Sequence, residues 1–276
     1  MMSGAFCMNK TRIFRDLHAD ASTVLILPNV WDAGGARLAE SLGAKAIATT
    51  SAGVAWSKGF PDGNILPARL QAQLAAEIVD AVKAPVSIDF EAGYAEEASA
   101  VVEHIKPVLA AGISGINLED GTDEPTVLAR KIEAIKKLAA AEGVDIFLNA
   151  RTDVYLQDLV ADEMKVAETL RRAKTYEDAG ADGLFVPGLT GAEGIAKITQ
   201  GTRLPINLMA DAALPDAAGL AKLNVRRLSA GIGLTKIIFG HMARLTERFL
   251  QHGDSQVLNE AGMSFSDLQN LFKKNA

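Results

Sequence analysis

The sequence predicts an α/β protein, a single (β/α)8 TIM barrel that accounts for most of its 276 residues. Eight short apolar runs alternate with helical stretches, and no Gly/Ser-rich or Pro-rich linker interrupts them. Hydrophobic residues make up 49% of the chain and charged residues 22%, a balance typical of a packed globular protein. We therefore predict one domain over residues 1–276, with the barrel at about 20–240 and a C-terminal helical extension at about 241–276.

The strands are predicted where an apolar run, too short to be a helix, ends in polar residues. These runs show little alternation between apolar and polar positions, as expected for strands that are buried on both faces. In chain order they are VLILPNV (24–30), AIATTS (46–51), VSIDFE (86–91), GINLED (115–120), IFLNAR (146–151), GLFVPG (183–188), INLMA (206–210) and RLSAG (227–231).

The helices are predicted between these runs, with the clearest amphipathic spacing at 70–84 and 164–180. Glycines 43, 112 and 180 suit helix C-terminal caps. A long helix at 234–253 and a short helix near 264–273 follow the last strand. A doubly wound sheet is the alternative fold, but no GxGxxG motif follows the first strand.

Composition and charge exclude several functional classes. The net charge is −6 and no long basic run occurs, which argues against nucleic acid as a partner. No uncharged apolar run reaches the roughly 18 residues that a membrane span needs. The single cysteine, Cys7, excludes an internal disulfide framework, and the opening MMSGAFCMNKTR lacks the apolar core of a secretory signal. We therefore expect a cytoplasmic protein.

Polar side chains at the carboxyl ends of the strands mark the expected active-site mouth. Asp89 and Glu91 end the third run, and Glu119 and Asp120 end the fourth. Four carboxylates this close would repel one another unless they share protons or bind a cation. Ligands that are all oxygen favour Mg²⁺, with Mn²⁺ as an alternative. Arg151 ends the next run, where its guanidinium could hold a substrate carboxylate or phosphonate through two parallel hydrogen bonds.

The runs SIDFEAGY (87–94), GINLEDG (115–121) and FLNARTD (147–153) resemble the isocitrate lyase/phosphoenolpyruvate mutase superfamily, as does the opening segment 27–63. The resemblance covers about residues 24–240, with the motifs in the family's order and at the expected strand ends. It implies a TIM barrel whose last helix is exchanged between neighbouring subunits, typically in a tetramer. The helix predicted at 234–253 is compatible with that exchange, so we expect a homo-oligomer, either a tetramer or a dimer.

The resemblance implies that Asp89 holds Mg²⁺ directly. Glu91, Glu119 and Asp62 would contribute mainly through metal-bound waters. Arg151, Glu119 and Asp62 are accordingly the candidate catalytic residues. The Pro-Asp-Gly segment around Asp62 is also an ordinary turn sequence, which leaves a purely structural alternative open.

The expected substrate is a small 2-oxo acid or a related diacid. The resemblance implies that the 50–52 segment binds the substrate carboxylate, that Arg151 contacts the substrate and that Asn207 lines the pocket. Trp31, which follows a strand end, could form a wall of the pocket. The candidate substrate-binding residues are Thr50, Ser51, Ala52, Asp89, Arg151, Asn207 and Trp31. Two structural alternatives remain: Thr50 and Ser51 could simply cap the following helix, and Trp31 could simply pack in the core.

Departures from the family pattern bear on the reaction. Members that cleave isocitrate or methylisocitrate carry a lid with a Lys-Lys-Cys-Gly-His motif, whose cysteine is the general acid. The corresponding segment here is EDGTDEP (119–125), and Gly188 replaces the glutamate that these lyases place after a proline at the end of strand six. The lid of phosphoenolpyruvate mutase has a lysine where this chain has Gly121. We expect segment 119–125 to form or open a mobile gating loop, and we expect little turnover of methylisocitrate.

Two classes of function follow. The first is a Mg²⁺-dependent lyase that cleaves a C–C bond next to a 2-oxo or 2-hydroxy acid centre through a pyruvate-like enolate, with an oxaloacetate-like or alkylmalate-like substrate. Cleavage of a P–C bond, as by a phosphonomutase or a phosphonopyruvate hydrolase, is the alternative within this class. The second class is a non-catalytic protein that binds a 2-oxo acid. The complete carboxylate set disfavours it, since a mere binder has less need of all these groups.

Overall fold

The computed structural model describes residues 4–259 and 262–273, and it confirms the predicted TIM barrel. The ends of the predicted domain, residues 1–3 and 274–276, lie outside the described residues. In the described part, one parallel sheet contains the strands β1 (Leu25–Leu27), β2 (Asn29–Val30), β3 (Ile47–Thr49), β4 (Val86–Asp89), β5 (Gly115–Glu119), β6 (Phe147–Arg151), β7 (Gly183–Phe185), β8 (Ile206–Met209) and β9 (Arg227–Ser229).

Helices follow most strands and surround the sheet. They are α1 (Gly4–Ala19), α2 (Ala33–Ser41), α3 (Ser51–Ser57), α4 (Ala68–Ala81), α5 (Ala98–Ala110), α6 (Pro125–Ala141), α7 (Lys165–Asp178), α8 (Ala192–Gly201), α9 (Ala217–Lys222), α10 (Gly233–His252) and α11 (Phe265–Phe272). Two short 3₁₀ helices occupy Asp162–Met164 and Ser255–Asn259.

The first predicted strand, 24–30, is divided in the structure. Pro28 separates β1 from β2, because proline lacks the N–H that a continuous strand would use for pairing. β1 pairs with β9, and β2 pairs with β3. The two halves together occupy one strand position and close the barrel, so the prediction of one strand is wrong while the eight predicted positions are confirmed.

The helix ends agree with the predicted punctuation. Gly43, Gly112 and Gly180 have φ values of 93°, 85° and 99°, the left-handed conformation that terminates a helix at low cost for glycine. The long C-terminal helix is confirmed as α10, which passes through residue 241 without a break. The division between barrel and extension at 240/241 stays a prediction.

Helix α1, which the sequence analysis did not predict, closes the floor of the barrel. Phe14 is fully buried there and makes an edge-to-face contact with Phe147, the first residue of β6, at 5.5 Å between ring centroids. A Cβ on Gly115 would lie 2.7 Å from the Phe14 ring, so the absence of a side chain at 115 makes room for it. The helix is tethered by Arg15, which pairs with Asp145 and Asp182 just before β6 and β7.

Helix α1, called the plug below, covers the amino-terminal ends of the strands. The carboxyl ends of the strands therefore form the open mouth of the barrel. The main apolar core lies between the outer face of the sheet and the surrounding helices. At the other end of the chain, α11 packs on α2, where Arg37 Nη2 donates to the Leu271 carbonyl at 2.9 Å. Among the described residues, no helix combines the length and the apolar character needed to cross a membrane.

Candidate active site

Asp89, the last residue of β4, is held by three hydrogen bonds. Its backbone N–H donates to Thr49 Oγ1 at 2.8 Å, and its carbonyl accepts from Gln71 Nε2 at 2.9 Å. The Ser51 N–H donates to Asp89 Oδ2 at 3.2 Å. The other carboxylate oxygen, Oδ1, is buried and has no hydrogen-bond partner within residues 4–259 and 262–273. A fixed carboxylate with one oxygen left unsatisfied has the geometry of a cation ligand.

Glu91 lies beside Asp89 in an unusual backbone conformation. Its φ is +48°, a region that residues other than glycine seldom adopt, and strain of this kind clusters at functional sites. The Asn64 N–H donates to Glu91 Oε2, and the Asn64 side chain accepts from the Tyr94 N–H at 2.8 Å. Burial raises the pKa of Glu91, and the charges of Asp89 and Asp62 add to that effect.

Arg151 joins two carboxylates at the mouth. Its Nη1 lies 2.8 Å from Glu119 Oε2, while its Nε and Nη2 bind both oxygens of Asp153 at 2.7 and 3.0 Å. Burial raises the pKa of Glu119. Arg151 lowers it, and the negative charges of Asp89 and Asp153 raise it further. The site is thus rich in negative charge that one arginine does not balance.

This pairing corrects the geometry expected for Arg151. The two-pronged face of its guanidinium is directed at Asp153 rather than left open for a substrate. A guanidinium has five N–H groups, and these contacts use three of them. Two N–H groups therefore remain for a substrate oxygen, and the role of Arg151 in binding substrate stays a prediction.

The predicted carboxylate-binding segment is the start of α3. Thr50, Ser51 and Ala52 are all buried, and the Thr50 side chain makes no capping hydrogen bond. The helix packs closely on α10, because a Cβ on Gly53 would lie 2.7 Å from Thr235 Oγ1. Thr50 therefore occupies the N-cap position of α3 without capping it through its side chain, and the carboxylate-binding role of residues 50–52 stays a prediction.

Asn207 belongs to a layer of amides inside the barrel. Its Nδ2 donates to the Leu208 carbonyl at 2.7 Å and to Ser229 Oγ at 3.1 Å, and its Oδ1 accepts from Asn149 Nδ2 at 3.5 Å. Asn149 Nδ2 also donates to Asn117 Oδ1 at 2.9 Å. Since Asn117 is the register partner of Asp89 across β4 and β5, this layer lies next to the metal-ligand candidate.

Two predicted residues lie at the periphery. Asp62 is exposed, two residues before the Asn64 that binds Glu91, in the loop between α3 and α4. Trp31 is half-buried, packs against the main core and lines a mostly apolar groove of about 840 Å³ with residues of β1, α2 and α10. The packing alternative for Trp31 is the one that these contacts favour.

The fit of the residues to a divalent cation is partial. Within residues 4–259 and 262–273, no three His, Cys, Asp or Glu side chains converge into a group that could hold a metal. Mg²⁺ commonly keeps several waters and takes one or two protein carboxylates, so a full protein cage is not required. The Asp89 Oδ1, unpartnered among the described residues, fits such a site, and the charge of Asp89 acts on both Glu91 and Glu119. Their role through metal-bound water stays a prediction.

The expected gating loop is a short, fixed turn. Only residues 120–124 separate β5 from α6. The Asp120 side chain is completely buried, where it accepts from the Asp153 N–H at 2.9 Å, from Arg172 Nη1 at 2.8 Å and from the Tyr176 hydroxyl. The prediction of a lid that begins here is therefore wrong, because the turn is too short and too firmly bonded to fold over the mouth.

Gly188 departs from the lyase pattern for a visible steric reason. Its φ is +83°, and a Cβ at this position would lie 3.3 Å from backbone atoms of Tyr155 and Leu156. A glutamate here would be strained and would displace the segment after β6.

Sequence reasoning missed two residues that shape the site. Gln71 is fully buried and holds the Asp89 carbonyl, and Asn64 bridges Glu91 and Tyr94. A signal existed for Gln71, because it is a polar residue on the face of α4 that otherwise buries Leu74, Ala75 and Ile78.

Comparison with known proteins identifies the family. The phosphoenolpyruvate phosphomutase family model matches residues 14–250. A crystal structure of a provisionally named phosphonomutase from Burkholderia cenocepacia J2315 is 41% identical, with a TM-score of 0.81, and the match covers 87% of this chain and 99% of that one.

Two curated enzymes are more distant. An oxaloacetate decarboxylase of Pseudomonas savastanoi pv. phaseolicola is 29% identical over 78% of this chain and 76% of its own length. A 2-methylisocitrate lyase of Aeropyrum pernix is 28% identical over 66% of this chain and 60% of its own length. This chain belongs to the phosphoenolpyruvate phosphomutase family, within the isocitrate lyase/phosphoenolpyruvate mutase superfamily.

Proposed function

We propose that this chain is a divalent-metal-dependent lyase that breaks a C–C bond next to a 2-oxo or 2-hydroxy acid centre. The observation that carries the proposal is Asp89, whose backbone makes two hydrogen bonds and whose carboxylate accepts one, with its other oxygen buried and unpaired in the described part of the chain. Glu91 and Glu119 add negative charge around it, which a divalent cation would offset. A pure binding protein would have little use for this electrostatic arrangement.

The chain's own residues would bind and orient the substrate. Mg²⁺ or Mn²⁺, when bound, would supply Lewis-acid stabilisation for the negative charge of a pyruvate-like enolate. Asp89 would hold the cation, with Glu91 and Glu119 acting through water. The backbone and hydroxyl groups of residues 50–52 would hold the substrate carboxylate, and the two unused N–H groups of Arg151 would bind a further oxygen.

We infer a substrate of the oxaloacetate or 2-alkylmalate type rather than methylisocitrate. The 120–124 turn carries no thiol, and Cys7 belongs to α1, the helix at the floor of the barrel. The Asp120 carboxyl is occupied by Arg172 and Tyr176, which removes it as a proton donor over the mouth. A small diacid makes the least demand on a covering loop.

The second candidate is cleavage of a P–C bond, as in a phosphonomutase or a phosphonopyruvate hydrolase. It is favoured by the 41% identity to the Burkholderia protein, a higher identity than that to either curated lyase named above. Both candidates use the same cation and the same 2-oxo acid contacts, and they differ in the group that Arg151 faces.

We also propose that the chain works in the cytoplasm as a homo-oligomer in which α10 packs on a neighbouring copy. The helix presents Ile237, Ile238, Met242 and Leu250 to solvent, together with a groove of about 430 Å³ that Phe249 helps to line. An apolar face of this kind on a soluble chain is typical of an interface. The swapped helix of the family would cover it.

A substrate panel tests the reaction. The full-length protein with Mg²⁺ would be incubated with oxaloacetate, 2-alkylmalates, methylisocitrate and phosphonopyruvate, with pyruvate followed by a coupled assay and phosphorus by NMR. We expect turnover of an oxaloacetate-like or alkylmalate-like acid at a catalytic efficiency of at least about 10⁴ M⁻¹s⁻¹. Release or transfer of phosphorus would instead support the second candidate, and turnover of methylisocitrate at that efficiency would contradict the substrate assignment.

A further inference from the structure

Arg227 is completely buried inside the barrel and has no carboxylate partner among the residues that the structure describes. It is the largest of the fully buried side chains in the described residues. Its Nη2 donates to Asn117 Oδ1 at 3.4 Å, while its Nε and Nη1 have no hydrogen-bond partner. A buried cation of this kind costs several kcal/mol of desolvation, which a protein seldom retains without a use for the charge.

On the α1 side of Arg227 lie aromatic rings, and the Arg15 guanidinium carbon lies 5.7 Å from the centre of the Phe147 ring. The Arg227 guanidinium carbon lies 6.0 Å from the centre of the Phe14 ring. His18 stacks on Phe147 at 4.1 Å and stays neutral, because burial and then the Arg227 charge lower its pKa to about 3. Burial lowers the pKa of Arg227 to about 9, with Asp89 opposing, so the guanidinium is charged at neutral pH.

Arg227 also contacts the amide layer of the active site, which consists of Asn117, Asn149 and Asn207. Asn117, which accepts the Arg227 hydrogen bond, is the direct strand neighbour of Asp89, and paired strands lie about 4.8 Å apart. Asn117 Oδ1 also accepts from Asn149, so its orientation is fixed from two sides. Arg227 is therefore anchored by one hydrogen bond to the strand neighbour of the proposed metal ligand.

The carboxylates at the mouth outnumber the arginines that pair with them, so a further positive charge nearby affects their electrostatic balance. Asp120 is already balanced by Arg172. The remaining carboxylates of the mouth outnumber its single arginine, Arg151: Asp89, Glu91, Glu119 and Asp153. Arg227 adds a second buried positive charge close to this set.

We propose that Arg227, anchored on the strand neighbour of Asp89, is a fixed internal counter-ion that limits the affinity of the Asp89 site for a divalent cation. The proposal rests on the metal site of the proposed function. A fixed positive charge near Asp89 partly neutralises the carboxylates of the mouth when no cation is bound. The same charge repels a divalent cation that binds there. Its removal therefore strengthens cation binding, whereas the loss of a merely structural residue would weaken it.

The test measures Mn²⁺ binding by calorimetry and electron paramagnetic resonance, with the full-length protein and no substrate. Arg227→Met is expected to bind Mn²⁺ about tenfold more tightly than the wild type. Arg227→Lys keeps the charge and is expected to stay within about twofold of the wild type. Arg226→Met, which removes the neighbouring arginine that bonds to Ala21 and Asn224, is the matched control and is expected to leave Mn²⁺ binding unchanged.

Each outcome decides the matter. Unchanged or weaker Mn²⁺ binding by folded Arg227→Met overturns the proposal while leaving the metal site intact. If Arg227→Met does not fold, the Lys variant decides, and a change in its dissociation constant well beyond twofold overturns the proposal. A wild-type protein that binds no Mn²⁺ overturns both this inference and the metal site.

Discussion

The position of Arg151 could be predicted from the sequence, but its ion-pair partners could not. The strand-end pattern placed it at the mouth, and the structure adds that Asp153 and Glu119 already hold it. Its contribution to catalysis would then come from a rigid orientation as much as from its charge. An ammonium group lacks the planar fork that makes this double pairing possible.

Replacement of Arg151 by lysine should therefore reduce catalysis. We expect Arg151→Lys to lower kcat/KM on the true substrate by about 2–4 kcal/mol in transition-state terms, measured by steady-state kinetics. Arg171→Lys is a suitable control, since Arg171 pairs with Glu168 on the exposed face of α7. Near-normal kinetics for Arg151→Lys would place the residue outside the substrate contacts.

Gly188 allows a test of the departure from the lyase pattern. Gly188→Glu should lower stability by about 1–3 kcal/mol, because a side chain would be forced into a left-handed conformation against backbone atoms of 155 and 156. Urea denaturation would measure the change. Gly191→Glu is the control, since a Cβ there meets nothing within 4 Å and its φ is −70°. Equal stability of the two variants would contradict the steric explanation.

The side chains that the sequence predicted best were those at strand ends. Asp89, Glu91, Glu119 and Arg151 follow apolar runs, and the topology of a parallel barrel brings such positions to one end. Gln71 and Asn64 could not be found in this way, because a helix and a loop bring them to the mouth through contacts that no spacing rule encodes.

Helix α1 shows the corresponding gap for whole elements. Its sequence mixes charged and apolar residues, and its place under the barrel depends on Phe14 fitting above Gly115 and on Arg15 pairing with two aspartates. Neither contact is visible from local pattern. The division of the first strand was foreseeable, since Pro28 cannot donate to a ladder, whereas the fixed turn at 120–124 depends on Arg172 and Tyr176 from α7.

The plug also predicts an acid sensitivity. Burial lowers the pKa of His18 from 6.5 to about 3. Between these two pH values His18 is protonated in the unfolded chain but neutral in the folded chain. Stability should then fall as the pH drops below about 6.5, by about 2 kcal/mol on reaching pH 5. Urea denaturation of the wild type and His18→Leu at several pH values measures this loss.

The comparison depends on the slope rather than on absolute stability. His18→Leu should flatten the loss of stability between pH 6.5 and 5, whatever its stability at pH 7.5. His252→Leu, at the exposed end of α10, should retain the wild-type slope. Identical slopes for the His18 variant and the wild type would contradict the assignment of this sensitivity to the plug.

For the whole molecule, the exposed apolar face of α10 predicts assembly. We expect the wild-type protein to be a dimer or tetramer by light scattering coupled to size-exclusion chromatography. Ile237→Glu should shift it toward the monomer, because a charge would be buried in the interface. Gln251→Glu adds the same charge to an exposed polar position of α10 and should leave the assembly unchanged. A monomeric wild-type protein would contradict this prediction.

The proposed function requires a cation held by Asp89, and calorimetry of Mn²⁺ binding in the presence and absence of oxalate tests this requirement most directly. The wild type should bind one Mn²⁺ per chain, more tightly with oxalate, which presents the carboxylate and oxygen pattern of a 2-oxo acid. Asp89→Asn keeps an oxygen to accept from the Ser51 N–H but loses the charge, and it should bind Mn²⁺ at least about tenfold more weakly. Unchanged affinity in Asp89→Asn, or a wild type that binds no Mn²⁺, would contradict the proposed function.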